Sequence, residues 1–447
     1  MGKIHDLRSF LAALEENGRL LTIDKEVNLV HEIGSVMATA EAESGKACLF
    51  RKVAGSPYQV AGGMLASMDN VSLALGVEKK EITDYLGKVL DHPIAPVVVE
   101  DAPCHEHVLV GDQVDMSKVP VPTHAPLDGG PIITGGIIHS KSIHGGRQNL
   151  SFQRMHVKGK DKCGIMINEW RHLKEFLDEA EQEGKPLPIS VAIGCDPALY
   201  IAAGIRTDLD ETSLAGGMRG EPVKIVKSIT NDIYVPAEAE FVIEGEIQPG
   251  LREEEGPLGE FTGHYSAPWK SPVVKVTAIC HRNSPIYQTI NGASFEHINL
   301  GNVLPRQPLL KKFAKYVSDG VIDVHIPPYG DGFLALIQLH KKNPGEPKNV
   351  ALAAMMTYVN IKNVIVVDED VDIYNPADVM WAVSTRVKPD DDIFYIKNAQ
   401  GHELDPCSDT RGVQTKMGID ATRSEHARTI QRVVYPKVDL TKYQGTE

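Results

Sequence analysis

The first hundred residues alternate between helix-like and strand-like hydrophobic patterns. Over residues 5–17, apolar side chains recur at helical spacing, and Gly18 follows where a helix would end; the stripe consists of Leu7, Phe10, Leu11 and Leu14. Further apolar patterns predict helices and strands, namely helices at 30–44 and 70–91 and strands at 20–24, 48–50 and 58–61. We therefore expect a mixed α/β N-terminal domain over residues 1–115.

From residue 128 onward the pattern changes to short β-type runs that glycine pairs separate. Strands are predicted at 137–143, 149–157, 164–168, 189–194, 223–228, 240–247, 273–281 and 286–291, with one long amphipathic helix at 171–184. Many short strands with few inserted helices are typical of a barrel-like β domain. We place this domain at residues 116–305, after a proline-rich connection.

The C-terminal third alternates strands with helices. The pattern predicts strands at 333–339 and 362–367 and helices at 348–358 and 376–386, an α/β layer that we assign to residues 306–447. A possible helix at 422–433 carries an apolar stripe of Ile430, Val433 and Val434, which predicts packing against a partner subunit. The predicted fold class is α+β, in three parts.

Composition and charge exclude several classes of protein. The 447 residues carry a net charge of −14 without any run of lysine and arginine, which argues against a nucleic-acid partner. No segment has 18 consecutive apolar residues, and the first residues have no apolar signal region, so we expect no membrane partner and a cytoplasmic location. Six cysteines without a C-x-x-C pair fit a reducing compartment.

One short histidine-rich stretch has two possible interpretations. Cys104-His105-Glu106-His107 contains ligand types that bind metal ions. A single such cluster without a second one at ligand spacing favours a coincidental surface turn.

The segment Glu255-Gly-Pro-Leu-Gly-Glu260 holds two carboxylates on a backbone that cannot be helical. Pro257 fixes its own φ and keeps Gly256 out of the α region, so the segment is a shaped loop that directs two acids towards one site. Two acids in different surroundings can act separately as general acid and base. An ordinary acidic surface loop is the alternative, because Glu253 and Glu254 precede it.

The strand Asn149-Leu-Ser-Phe-Gln-Arg154 carries ligand-type side chains. Alternation places Asn149, Ser151 and Gln153 on one face and Phe152 and Arg154 on the other. Asparagine and serine oxygens suit a hard cation or a phosphate, and arginine offers a planar fork for a carboxylate or a phosphate. An exposed polar strand face is the alternative.

The order of these motifs resembles the UbiD family of decarboxylases. Asn149, Arg154, His172 and the Glu255–Glu260 segment follow the family's order, and further matches extend the resemblance to Thr422; these are Thr230–Ala237, Val367–Asp372, Trp381–Arg386 and Lys416–Thr422. The resemblance implies a split β-barrel of the flavin-reductase type that binds prenylated FMN (prFMN) between two α/β regions. It also implies Mn²⁺ or a similar divalent ion, together with K⁺, between the protein and the cofactor phosphate.

The family motifs imply a role for each matching residue. Asn149 and His172 resemble metal ligands, and the neighbouring residues Ser151, Phe152, Gln153 and Arg171 resemble cofactor-binding positions. Arg154 resembles the arginine beside the flavin ring that pairs with Glu255, and Glu260 resembles the acid that protonates the product carbon. The implied reaction is a reversible, non-oxidative decarboxylation through a covalent substrate–cofactor adduct, in which Glu260 must work in its protonated form.

One position departs from the family pattern. Relatives carry a third metal-ligand glutamate in a Glu-x-Val-Lys stretch, whereas this chain has Lys224-Ile-Val-Lys227. Glu221, three residues earlier, is our substitute ligand, and Lys224 is an alternative partner for the cofactor phosphate.

The substrate is predicted from basic groups in the segment that lines the pocket of relatives. His297, Arg306 and His402 would suit a second carboxylate or a phenolic oxygen on an aromatic ring. We favour a furan-2,5-dicarboxylate-like diacid, with a hydroxybenzoate-type acid as the alternative. A flavin prenyltransferase would supply the cofactor, CO₂ is the second product, and we expect a homodimer or higher homo-oligomer. An ordinary flavin reductase and a non-catalytic flavin-binding subunit are the alternatives from other classes.

Overall fold

The N-terminal part is a small helix-covered sheet. A computed structural model describes residues 4–169, 171–409, 411–424, 432–433, 435–436, 438–439 and 442–443, so the predicted tail helix at 422–433 falls largely outside the described residues. The N-terminal elements are α1 (Leu7–Glu16), β1 (Leu20–Ile23), α2 (Glu32–Ser44), β2 (Ala47–Phe50), β3 (Gln59–Gly62), α3 (Met68–Leu75) and α4 (Ile82–Val89).

Local sequence explains where these helices begin and end. The side chain of Asp6 accepts a hydrogen bond from the backbone of Ser9 at 2.8 Å and caps α1, and the four apolar residues of the predicted stripe are buried. The predicted single helix at 70–91 is in fact two helices. Gly76 adopts a φ of 66°, a left-handed conformation that ends α3, and α4 begins only at Ile82.

The central part contains most of the strands. Its elements are β4 (Val97–Val98), β5 (His107–Val110), β6 (Ile132–Ile133), β7 (Gly136–Ser140), β8 (Asn149–Phe152), β9 (Met155–Val157), β10 (Lys162–Ile165), α5 (His172–Gln182), β11 (Leu187–Ile193), α6 (Pro197–Gly204), α7 (Glu211–Arg219), β12 (Lys224–Lys227), β13 (Tyr234–Pro236), β14 (Phe241–Glu255), β15 (Trp269–His281), β16 (Ile286–Thr289) and α8 (Phe295–Ile298). A π-helical turn, Asn299–Val303, continues α8.

The central sheet has nine strands and curls into half a barrel. Its strand order is β6-β9-β10-β15-β14-β11-β7-β8, and β5 pairs with β15. β8 is the last strand of this order and β9 is the second, yet only Gln153 and Arg154 join them along the chain. The two ends of the sheet must therefore approach each other at these two residues, which place Arg154 at the seam of the half-barrel.

The C-terminal part is a second α/β layer. Its elements are α9 (Gln307–Val317), β17 (Val321–His325), β18 (Leu334–Leu339), α10 (Glu346–Thr357), β19 (Asn363–Asp368), α11 (Pro376–Arg386), α12 (Pro389–Asp392), β20 (Ile393–Gln400) and β21 (Val413–Ala421). The strand order is β17-β18-β19-β21-β20, and β18, β19 and β21 run parallel. Within the described ranges, no helix is long and apolar enough to cross a lipid bilayer. The predicted α+β fold in three parts is confirmed.

Candidate active site

The segment with the two acids turns away from the central sheet at the end of one of its interior strands. Glu255 is the last residue of β14 and pairs with Trp269 of β15. Gly256 then adopts a φ of 82°, a left-handed conformation that a residue with a Cβ atom rarely adopts. The amide of Glu260 donates to the carbonyl of His264 at 2.8 Å and closes the turn. The position of Glu255 is therefore set by strand pairing, and the position of Glu260 is set by the turn.

Two side chains outside the turn, the buried His156 and the partly exposed Asp128, accept hydrogen bonds from its backbone. The Gly256 amide donates to Nδ1 of His156 at 3.3 Å, and the Gly259 amide donates to Asp128 at 3.1 Å. Burial lowers the pKa of His156 to about 4, so its imidazole is neutral and Nδ1 can accept this bond. Gly129 packs so closely that a Cβ atom there would lie 2.1 Å from the carbonyl oxygen of Gly256. The turn is therefore braced against the segment that precedes β6.

Arg154 contacts both acids with different parts of its guanidinium group. Nε and Nη2 donate to the Glu255 carboxylate at 3.0 and 2.9 Å, a bidentate arrangement, and Nη1 contacts Glu260. The Glu255 side chain is fully buried, whereas the Glu260 side chain retains 11% of its exposure and lines a cavity. Arg154 thus holds the Glu255 carboxylate through two nitrogen atoms. Glu260 remains able to contact a ligand in the cavity.

A cavity of about 600 Å³ lies in front of Arg154 and Glu260. It brings together seven of the sequence-predicted site residues, which are Phe152, Gln153, Arg154, Arg171, Glu260, His297 and His402. The Gln153 amide nitrogen is buried there and has no hydrogen-bond partner among the described residues. Buried polar groups in folded proteins are nearly always paired, so this donor is available to a ligand.

One wall of the cavity carries two imidazoles around a phenylalanine. The rings of His297 and His402 stand edge-on to Phe261, with centroids 6.2 and 5.4 Å away. Burial lowers the pKa of each histidine to about 4, and the charge of Arg154 adds to the shift at His297. Both imidazoles are therefore neutral at physiological pH and can donate or accept hydrogen bonds.

Another wall carries buried positive charge. Arg171 lines the cavity, and Arg306 lies over the ring of Tyr358, a further lining residue, at 4.4 Å from its centroid. Burial, followed by the charges of Arg306 and Arg206, lowers the pKa of Arg171. The Nε atoms of Arg171 and Arg306 are buried and have no hydrogen-bond partner within the described part of the chain. This wall suits an anionic group.

A small second pocket adjoins the cavity behind Arg171. Asn149, Ser151, Arg171, His172 and Glu211 contribute to its lining. Nδ1 of His172 lies 2.8 Å from Oδ1 of Asn149, and the buried Ser151 hydroxyl has no partner among the residues described. The Glu211 carboxylate accepts the Leu150 amide at 3.2 Å, and burial raises its pKa to about 7. A carboxylate, an amide oxygen and an imidazole therefore line the same small pocket.

Sequence reasoning did not identify Glu211. Asp210-Glu-Thr-Ser213 has the residue types of a helix start, and Asp210 does cap α7 through the amides of Thr212 and Ser213. Nothing in that pattern showed that the first residue of α7 would turn inward towards Asn149.

Glu221 and Lys224 lie elsewhere. They line a separate cavity of about 310 Å³, together with Asp196 and Arg219. Lys224 begins β12 with its side chain 60% exposed and 3.9 Å from Glu238, and Glu221 accepts a hydrogen bond from Arg219 at 3.2 Å. The structure does not bring either residue to Asn149 and His172, because the stretch that holds them forms a strand of a different, three-stranded sheet.

Comparison with family models assigns all three parts of the chain. Three models match, described as 3-octaprenyl-4-hydroxybenzoate carboxy-lyase domains: the N-terminal domain at residues 11–90, the Rift-related domain at 96–294 and the C-terminal domain at 299–421. The fold and these matches define a carboxy-lyase, an enzyme that removes CO₂ from a carboxylic acid.

Individual relatives match almost the whole chain. It is 36% identical to the anhydromevalonate phosphate decarboxylase of Methanosarcina mazei, over 93% of this chain and 96% of the relative. It is 35% identical to the phenolic acid decarboxylase of Bacillus subtilis, over 93% of this chain and 92% of the relative. The UbiD-class enzyme HmfF from Pelotomaculum thermopropionicum, solved in complex with FMN, superposes with a TM-score of 0.94 at 37% identity over 98% of this chain and 100% of HmfF. The chain belongs to the UbiD family, as its motifs predicted.

Proposed function

We propose that this enzyme reversibly decarboxylates a small aromatic or heteroaromatic acid with prFMN. The observation that carries the proposal is the arrangement of Arg154, Glu255 and Glu260 at the seam of the half-barrel, with only Glu260 of the two acids facing the cavity. The carbon that CO₂ leaves needs a proton, and Glu260 is the acid in position to give it. Arg154 and the fully buried Glu255 hold each other in place, so they position Glu260 and the ligand beside it.

The lining residues fit a flavin nucleotide. The unpartnered Gln153 amide and Ser151 hydroxyl can bind its polar edge, and Phe152 offers an aromatic contact. Arg171 lines both the cavity and the small pocket, and its guanidinium group suits the phosphate. HmfF has also been solved, in an evolved dimeric form, in complex with prFMN. When bound, prFMN would supply the electron sink that decarboxylation at an sp² carbon requires.

For the divalent ion we propose Asn149, His172 and Glu211 as ligands, with Glu211 in place of Glu221. The oxygens of Asn149 and Glu211 and the imidazole of His172 are ligand types that Mn²⁺ accepts. The pocket adjoins Arg171, so these residues would hold the ion close to a side chain that suits the cofactor phosphate. The family resemblance also implies K⁺. Lys224 has no cofactor contact in this proposal.

A pair of matched variants separates the two candidate glutamates. Glu211→Gln should weaken Mn²⁺ binding by at least about 100-fold, because replacing even a group that only orients a ligand costs 10–100-fold. Glu221→Gln should leave Mn²⁺ binding unchanged. Metal content by mass spectrometry and the spin-resonance signal of free Mn²⁺ measure both. The reverse result would restore Glu221 as the ligand.

For the substrate we favour a furan-2,5-dicarboxylate-like diacid. Arg306 lies over the lining residue Tyr358, and its Nε atom has no hydrogen-bond partner among the described residues. His297 and His402 add neutral N–H donors to the cavity lining, so the site suits a second carboxylate on the ring. A hydroxybenzoate-type acid is the second candidate, because an uncharged imidazole can also accept a phenolic O–H. The phenolic acid decarboxylase of Bacillus subtilis, at 35% identity, supports that alternative.

The substrate prediction is tested with acids that differ only in the second group. The protein, co-expressed with a flavin prenyltransferase, is assayed for product and CO₂ exchange with furan-2,5-dicarboxylate, furan-2-carboxylate and 4-hydroxybenzoate. We expect kcat/KM for the diacid to exceed that for the monoacid by at least about 100-fold, since a site built for a polar group strongly rejects an analogue that lacks it. A preference for 4-hydroxybenzoate would select the second candidate. Oxidation of a nicotinamide cofactor without decarboxylation would instead indicate a flavin reductase.

Assembly as a homo-oligomer is also part of the proposal. The helices α9 and α10 expose large apolar side chains, among them Tyr316 and Met356 with 93% and 84% of their surface accessible. Exposed apolar patches of this kind are typical of subunit contacts.

A further inference from the structure

The histidine-rich stretch at residues 104–107 contacts the central sheet away from the cavity. Pro103–His105 forms a short 3-10 turn, and the following strand β5 pairs with β15. His107 points outward at the surface, where it hydrogen-bonds to Asn283, and His105 is half-buried. The turn was interpreted from sequence as a coincidental surface feature, but one of its two histidines faces inward.

The inward-facing histidine lies beside a thiol and a carboxylate. Nε2 of His105 is buried and has no hydrogen-bond partner among the described residues. One ring nitrogen of His105, the sulfur of Cys280 and a carboxylate oxygen of Glu244 all lie within 4.8 Å of one another. Glu244 and Cys280 are fully buried on β14 and β15. Three groups that bind metal ions therefore converge from three segments of the chain.

The carboxylate of this cluster is held in a fixed orientation. Its Oε2 accepts the amide and the hydroxyl of Thr230, both at 2.6 Å, and its Oε1 accepts the amide of Ile229 at 2.7 Å. The only further partner of Oε1 that the structure describes is the Cys280 thiol, at the long distance of 4.0 Å. Oε1 therefore has one remaining acceptor direction, which points towards Cys280 and can turn to an ion.

We propose that His105, Glu244 and Cys280 form a zinc site, separate from the cofactor and its divalent ion. Imidazole nitrogen, thiolate sulfur and carboxylate oxygen are the three ligand types of protein-bound Zn²⁺. Binding requires Cys280 to lose its proton, and a water molecule on the half-exposed side of His105 completes the tetrahedron. The bound ion would link the turn Pro103–His105, which precedes β5, to strands β14 and β15.

The ligand set distinguishes this site from the one at Asn149. Cys280 supplies sulfur, whereas Asn149, His172 and Glu211 offer only nitrogen and oxygen. Co²⁺, which replaces Zn²⁺ in such sites, shows a thiolate-to-metal charge-transfer absorption only when sulfur is a ligand. Absorption therefore identifies which site is filled, independently of enzyme activity.

The experiment uses the full chain with Cys407→Ser, which removes the one exposed thiol among the described residues. After treatment with a chelator, the protein is titrated with Co²⁺ and then with Zn²⁺. We expect one charge-transfer-active Co²⁺ per chain, displaced by Zn²⁺, and a higher melting temperature with Zn²⁺. His105→Gln should lower the Co²⁺ affinity at least about 100-fold, Cys280→Ser should abolish the absorption, and Glu211→Gln should retain it.

Two results would overturn the proposal. One is the absence of a charge-transfer absorption in the chelator-treated protein. The other is an absorption and a Zn²⁺-dependent melting shift that persist in His105→Gln. This variant decides the question even if Cys280→Ser does not fold, because Nε2 of His105 has no hydrogen bond to lose within the described structure.

Discussion

Glu260→Gln should abolish decarboxylation while the protein still folds and binds its flavin. Glutamine keeps the size of the side chain and can still contact Arg154, but it cannot give a proton to the carbon that CO₂ leaves. General acid catalysis contributes about 10² to 10⁴ in rate, so kcat should fall by at least about 10²-fold with no comparable loss of flavin. Product formation measures the first effect, and the absorption spectrum of the purified protein measures the second.

A neighbouring acid provides the matched control for this variant. Glu254 lies one residue before Glu255 on β14 with its side chain exposed, so Glu254→Gln makes the same chemical change away from the cavity. It should retain the turnover of the wild type. If Glu260→Gln also retained that turnover, Glu260 would not be the proton donor, and the role of the whole turn would have to be reconsidered.

The parts of the fold that could be predicted are the elements whose apolar residues recur at a regular helical or strand spacing. The stripe at Leu7, Phe10, Leu11 and Leu14 predicted α1 to within two residues, because helical periodicity is a local property of the sequence. The break between α3 and α4 was missed, since the charged residues Glu78–Glu81 that follow the left-handed Gly76 are equally compatible with the exposed face of one long helix. β20 and β21 were also missed, because each is stabilised by pairing with another strand of the sheet.

The candidate site shows the same difference between motifs, which are read along the chain, and contacts between residues far apart in sequence. Arg154 and the acid turn were identified from motifs, but the contact of Arg154 with Glu260 joins residues 106 positions apart. That contact depends on how the half-barrel closes. Glu211 is a second example, because only the packing of α7 against β8 turns its carboxylate towards Asn149 and His172. Glu221 was chosen for its position in the sequence, close to Lys224, and proximity along the chain did not place it near Asn149 and His172.

Removing the charge of Arg154 should have two effects at once, loss of turnover and loss of stability. Arg154→Met keeps most of the side-chain length but leaves the fully buried Glu255 carboxylate without its bidentate partner. Breaking a buried ion pair from one side costs roughly 3–5 kcal/mol, because the remaining charge stays buried without compensation. We therefore expect the free energy of unfolding to fall by about that amount, together with a loss of kcat of about 10²- to 10³-fold.

Arg154→Lys separates the charge from the geometry. Lysine supplies one positive group but no planar fork, so it cannot donate to Glu255 from two nitrogens and contact Glu260 with a third. We expect this variant to recover most of the lost stability and little of the turnover. Only the planar guanidinium group can contact Glu255 and Glu260 at the same time in the observed arrangement. Denaturant unfolding and product formation on the same preparations measure the two effects. A lysine variant with wild-type turnover would show that charge alone is sufficient and that the geometry of the fork contributes nothing to catalysis.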